Sequence, residues 1–99
     1  MAKSIIQPNK DQCFLCGRNG HGDTLDEHHV YFGINRKNSE KYGLKVYLCH
    51  NSCHIFSKNA VHQNAKVDRV LKETVQKRAM AHYGWTEDEF RSIFGKSYL

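Results

Sequence analysis

The stretch Asp26-Glu27-His28-His29-Val30-Tyr31-Phe32-Gly33 carries both a fold signal and a chemical one. Val30, Tyr31 and Phe32 are β-branched or aromatic and Gly33 follows them, so residues 25–32 are expected to form a strand. A second run of the same character, Leu44-Lys45-Val46-Tyr47-Leu48, predicts a partner strand over residues 44–48, and the two can pair as a hairpin. Between them, residues 33–43 are polar and basic, with Ser39 placed to cap a single helical turn through Tyr42. Adjacent histidines ahead of a β-branched residue are uncommon in an ordinary strand. A neutral imidazole is the commonest metal ligand and also titrates near neutrality, so one of the pair can hold a metal while the other accepts a proton. Neighbours on a regular strand point to opposite faces, so both can serve one site only near a strand end or a bulge.

Downstream of the hairpin the periodicity changes. Val67, Val70, Leu71, Val75, Ala79 and Met80 recur at helical spacing, which predicts a long helix over Ala65–Tyr83 ended by Gly84. Thr86 and Glu89 have capping-box spacing, so a short helix is expected over Glu87–Phe94, stopping at Gly95, with Phe90, Ile93 and Phe94 facing the core. Upstream, residues 1–12 have little periodicity and read as a flexible arm. The fold class is therefore α+β: a stapled hairpin plus helix, with a long and a short C-terminal helix.

The staple comes from the cysteines. Cys13-x-x-Cys16-Gly17 and Cys49-x-x-x-Cys53 supply four thiols, the ligand count of a closed tetrahedral zinc site. Gly17 suits the turn that lets backbone amides point at sulfur. A redox pair would want a strand before Cys13 and a helix after Cys16, and neither is expected. His50 or His54 could replace Cys53 as the fourth ligand. A chain of 99 residues with 39% hydrophobic content buries only about 60–65% of its unfolded surface, so a metal is a natural source of rigidity.

No apolar run approaches a membrane span and residues 1–10 lack a secretory pattern, so the chain reads as soluble and cytoplasmic, where paired cysteines are metal ligands more often than disulfides. The formal charge is +5, from 15 basic and 10 acidic residues. That excess favours a polyanionic partner without naming one. His54 follows Cys53 directly and His62 lies further on. On a continuous helix those two would be about 80° apart around the axis, near enough for one ion only with a bend between them. His21 and His82 read as structural or solvent-facing.

Together the Cys-x-x-Cys knuckle, the Glu-His-His-Val strand, the Leu-x-Val-x-Leu-Cys strand and the Cys-His pair resemble the HNH endonucleases of the ββα-metal kind. Residues 36–49 and 94–99 are similar to a compact subgroup carried by phages and prophages. The likeness covers residues 13–99 and implies one nuclease domain. It implies His28 as a ligand of a catalytic divalent metal (zinc, nickel, cobalt, manganese or magnesium) and His29 as the general base, with His54 and His62 as further ligands. Where the family has its central asparagine this chain has Leu44. Asn35, Asn38, Asn59 and Asn64 are the candidates to orient His29 instead. The implied partner is double-stranded DNA, its phosphates contacted by Arg36, Lys37, Lys41, Lys58 and Lys66, with phage packaging or replication proteins as further partners. The competing class is a non-catalytic zinc-stapled DNA-binding module.

Overall fold

In the computed structural model, which describes residues 3–8, 10–55, 57–58 and 60–99, strand β1 (Leu25–His29) pairs antiparallel with β2 (Lys45–Cys49), Leu25 opposite Cys49 and His29 opposite Lys45. A 3-10 turn (Gly33–Asn35) and helix α1 (Arg36–Tyr42) connect them. One π-helical turn (His50–Ile55) follows β2, and helices α2 (Ala65–Tyr83) and α3 (Glu87–Phe94) complete the chain. The architecture is mixed α+β with a two-stranded antiparallel hairpin.

β1 stops three residues short of the expected end, for a local reason. The backbone N–H of Tyr31 donates to the Ser39 hydroxyl (3.0 Å), and that hydroxyl donates to the Tyr31 carbonyl (2.7 Å). Both main-chain groups that would extend the ladder are thereby satisfied by a side chain. Ser39 is thus no helix cap. It is fully buried inside α1, a full helix rather than the single turn expected, and it splices that helix to the end of β1.

The arm is docked along β2. The N–H of Ile5 donates to the Gly43 carbonyl, the Ser4 hydroxyl to the Lys45 carbonyl, and the N–H of Tyr47 to Gln7 Oε1. With the N–H of Phe14 bonded to the Tyr47 carbonyl, the outer edge of β2 is covered, which removes a site of edge-to-edge association. Composition did not announce this docking, because side-chain hydrogen bonds from Ser4 and Gln7 leave no periodic trace.

The core joins Val30, Val46 and Leu48 of the hairpin region to Leu71, Val75 and Ala79 of α2 and Phe90 and Phe94 of α3. Tyr31 lies among the aromatic rings, 5.3 Å from Phe90 and 4.7 Å from Phe94 between centroids, and its hydroxyl donates to the Lys72 carbonyl. Both long-helix boundaries fall where expected. Asn64 caps α2 by accepting from the N–H groups of Lys66 and Val67, and the Thr86–Glu89 capping box is formed. Val70 departs from expectation: it is exposed, because the buried stripe runs through Leu71 and Val75.

Gly43 and Gly84 are a matched pair, each ending a helix in the left-handed region, at φ 71° and 70°. A Cβ at Gly84 would meet open space, whereas one at Gly43 would collide with the Lys3 carbonyl and crowd Ile5. Gly84→Ala is therefore expected to cost about 1 kcal/mol, the backbone penalty alone, and Gly43→Ala about 2–3 kcal/mol, since the arm must also move. Parallel chemical denaturation of the two variants measures the difference.

Candidate metal sites and the histidine cleft

The two halves of the cysteine staple arrive from different elements. Gly17, at φ 79°, closes the knuckle as its N–H donates to the Cys13 carbonyl, and the Cys16 amide points at Cys13 Sγ (3.5 Å). Cys49 ends β2 and Cys53 lies in the π turn. That turn is held by Asp23, which accepts from the N–H groups of Asn51 and Ser52, and by Arg18, which donates to the Ser52 hydroxyl. The four sulfurs lie within 4.8 Å of one another, and Cys16 Sγ and Cys49 Sγ are 3.4 Å apart, so the thiols are free.

Burial and the neighbouring sulfurs push Cys49 up to about 12 and raise Cys53 as well. At Cys13 burial also acts upward, but the amides of Cys16, Cys49 and Leu15 outweigh it and bring the thiol to about 7. A divalent cation would resolve this crowding by binding the thiolates. The four-cysteine cluster is compatible with structural zinc, and Cys53 rather than His50 or His54 completes it.

His50 and His54 turn elsewhere. Their Nδ1 atoms both lie against Asp26 Oδ2, at 2.5 and 2.9 Å. Burial acts to raise the Asp26 carboxyl, but the two imidazole hydrogen bonds outweigh it and hold the group below its usual range. An ionised carboxylate accepts only, so His54 carries its proton on Nδ1 and keeps Nε2 for another partner. A metal-ligating histidine is ordinarily fixed in this way.

His28, His54 and His62 form a near-equilateral triangle, with ring centroids 5.0, 5.3 and 4.9 Å apart. One ligand atom from each lies within 4.8 Å of the others. The bend that this requires between His54 and His62 is present: residues 60–64 hook back on the π turn through the bonds Val61 N–H to the Cys53 carbonyl and His62 N–H to the His54 carbonyl. His28 is 2% exposed, and its Nε2 is buried with no hydrogen-bond partner. Orphaned buried nitrogens are rare and costly. A metal ion at the triangle would satisfy this one, so the residues present fit such an ion.

His29 ends β1 on the opposite face, among Glu27, Glu40 and Lys45. Its Nε2 is 3.0 Å from Glu40 Oε1 and 3.8 Å from Glu27 Oε1. Lys45, 3% exposed, bonds both Glu40 oxygens at 3.1 and 3.0 Å and lies 3.4 Å from Glu27. Hydrogen bonds from His29 and then Lys45 hold the Glu40 carboxyl down at about 2. The strand end resolves the conflict of faces: a cleft of about 210 Å³ is lined by His28, His54 and His62 together with Glu27, His29 and Arg36.

A larger groove of about 670 Å³ opens on the other side of His29, between Glu27 and Glu40 and the cations Arg36, Lys37 and Lys41. Lys58 and Lys66 are exposed and line neither space. Among the asparagines, Asn35 donates to the Phe94 carbonyl, Asn38 to the Ile93 carbonyl, and Asn64 caps α2. These three are committed to the fold, and Asn59 lies outside the described residues. The side chain on His29 is Glu40, which a search for an amide passes over. His21 and His82 are exposed. Among the described residues, no helix is long and apolar enough to cross a membrane.

Two outcomes are expected. Cys13→Ser or Cys53→Ser should lose one equivalent of zinc by elemental analysis and the cooperative unfolding transition with it, because a structural zinc contributes its binding free energy to folding. The second concerns acid. Burial first, then the charges of His54, His62, His29 and Lys72, bring His28 down to about 3. The unfolded chain takes up a proton near pH 6.5 that the folded chain refuses until about pH 3, so stability falls as pH drops through that window. With the cysteine site loaded and no excess metal, lowering pH from 7.5 to 5.5 should cost about 1 kcal/mol that His28→Gln does not lose. Urea titrations at the two pH values measure it.

Comparison with protein-family models, with curated proteins and with solved structures gives no match to this chain.

Proposed function

We propose that the protein is a metal-dependent endonuclease of the ββα-metal kind, hydrolysing phosphodiester bonds in DNA. The observation that carries the reading is the cleft in which three imidazoles, one with an orphaned buried nitrogen, stand beside His29 and Arg36. His28, His54 and His62 would hold one divalent cation, and an all-imidazole set suits zinc, nickel, cobalt or manganese better than magnesium. Bound there, the ion supplies neutralisation of the charge that grows on the phosphate and the leaving oxygen.

The rest of the chemistry belongs to the chain. His29 takes the proton of the attacking water, since it is the imidazole of the cleft that stands outside the ligand set. Its place on the far face of β1 keeps it out of the ligand set while the strand end lets it share the space. Arg36, Lys37 and Lys41 along the groove beside His29 contact backbone phosphates, which positions the duplex without reading bases. Asp26 holds His54 through Nδ1, which would leave Nε2 for the ion, and a zinc in the cysteine cluster would hold the π turn that carries His54.

Metal-dependent nicking of a supercoiled plasmid tests the proposal and separates it from a non-catalytic DNA-binding module. His29→Ala should keep its catalytic metal and its DNA affinity while cleavage falls by about 10²- to 10⁴-fold, the range general-base catalysis supplies. His28→Ala should instead lose metal affinity at the imidazole site and retain the cysteine-bound zinc. Calorimetric metal titration beside the nicking assay reads both. Normal nicking by His29→Ala overturns the assignment of the base.

A further inference from the structure

We infer that Glu40 is the positioning residue for His29: its carboxylate, clamped by Lys45, fixes the imidazole with the proton on Nε2 and leaves Nδ1 as the basic nitrogen. The inference rests on the reading of His29 as general base and adds the group that sets its protonation geometry. A carboxylate accepts and cannot donate, so at 3.0 Å from Glu40 Oε1 the His29 Nε2 is the donor. Once Nδ1 has taken a proton, the same carboxylate stabilises the imidazolium that results.

Three observations make the contact a built one. Lys45 grips both Glu40 oxygens from within the sheet and is almost wholly buried, so the carboxylate cannot swing freely. Ser39, the neighbour of Glu40, ties α1 to Tyr31 two residues beyond His29, which sets the helix against the strand. Glu27, the other carboxylate on this face, is farther from His29 at 3.8 Å and takes the Tyr47 hydroxyl at 3.2 Å.

Glu27, His29 and Glu40 also offer three ligand atoms within 4.8 Å, the spacing of a second cation site. The ammonium of Lys45 lies against both carboxylates, at 3.4 and 3.0 Å. It offsets one of their two negative charges and would repel a divalent ion, which favours the positioning role.

The test uses the full chain loaded with metal, comparing wild type, Glu40→Gln and Glu40→Asp. Glu40→Gln leaves Lys45 paired with Glu27, so far-UV dichroism and metal content should match wild type. Its single-turnover nicking rate should fall by about 10²-fold or more at unchanged DNA affinity, and Glu40→Asp should recover part of that loss. Long-range ¹H–¹⁵N spectra should show His29 protonated on Nε2 in wild type and a mixture of tautomers in Glu40→Gln. Three results would overturn the assignment: Glu40→Gln nicking like wild type, wild-type His29 protonated on Nδ1, or a metal equivalent present in wild type and lost in Glu40→Gln. A wild-type protein that binds metal without nicking removes the nuclease reading, and the tautomer measurement still decides the role of Glu40.

Discussion

Everything chemical in this small domain depends on four sulfur atoms meeting in one place. The knuckle at Cys13 and Cys16, the last residue of β2 and the π turn at Cys53 come from three parts of the chain, and a tetrahedral ion would hold all three to one geometry. Structural zinc in small peptides is worth about 10–16 kcal/mol at neutral pH, which equals or exceeds the whole folding stability of an ordinary domain, about 5–15 kcal/mol. Fixing Cys49 and Cys53 also fixes the residues after each, His50 and His54, both of which turn to Asp26. The π turn is suited to this use, since its wider winding lets residues four apart lie nearly above one another.

β1 separates two electrostatic environments with a single strand. One face carries imidazoles, and His28 is kept neutral there by burial and by neighbours of like charge. The other face carries two carboxylates and a buried lysine, a network in which every charge has a partner. At Lys45, burial works against the charge, but Glu40 and Glu27 more than offset it and hold the group above its usual value. The strand end is where the two environments open on one space.

Local signals made most of the elements legible. The capping box at Thr86 and Glu89, the stop at Gly84 and the spacing of Leu71, Val75 and Ala79 are interactions within a few residues, so α2 and α3 can be read with their ends. The grouping of His28, His54 and His62 was expected from the family resemblance, and the bend that it needs between His54 and His62 is present. Three things were not. The end of β1 is decided by Ser39, eight residues away, whose hydroxyl leaves no pattern. The docking of Ser4 and Gln7 on β2 spans some forty residues. The partner of His29 was sought among asparagines, yet the fold delivers a glutamate by way of a helix that read as a single turn. Long-range polar contacts of this kind carry no periodicity.

The antiparallel register has one further implication, for the history open to such a chain. His28 faces His54 and His62, and His29 the carboxylates, only because of the parity of their positions in β1. Sliding that strand by one residue against Lys45–Cys49 would exchange the two rings between faces and hand each the environment built for the other. Insertions or deletions that shift β1 by an odd step are thereby closed to descendants of this sequence, while those absorbed by the glycine-containing loop over residues 17–24 remain open. Variation in length should accumulate in that loop, upstream of a strand that cannot change phase.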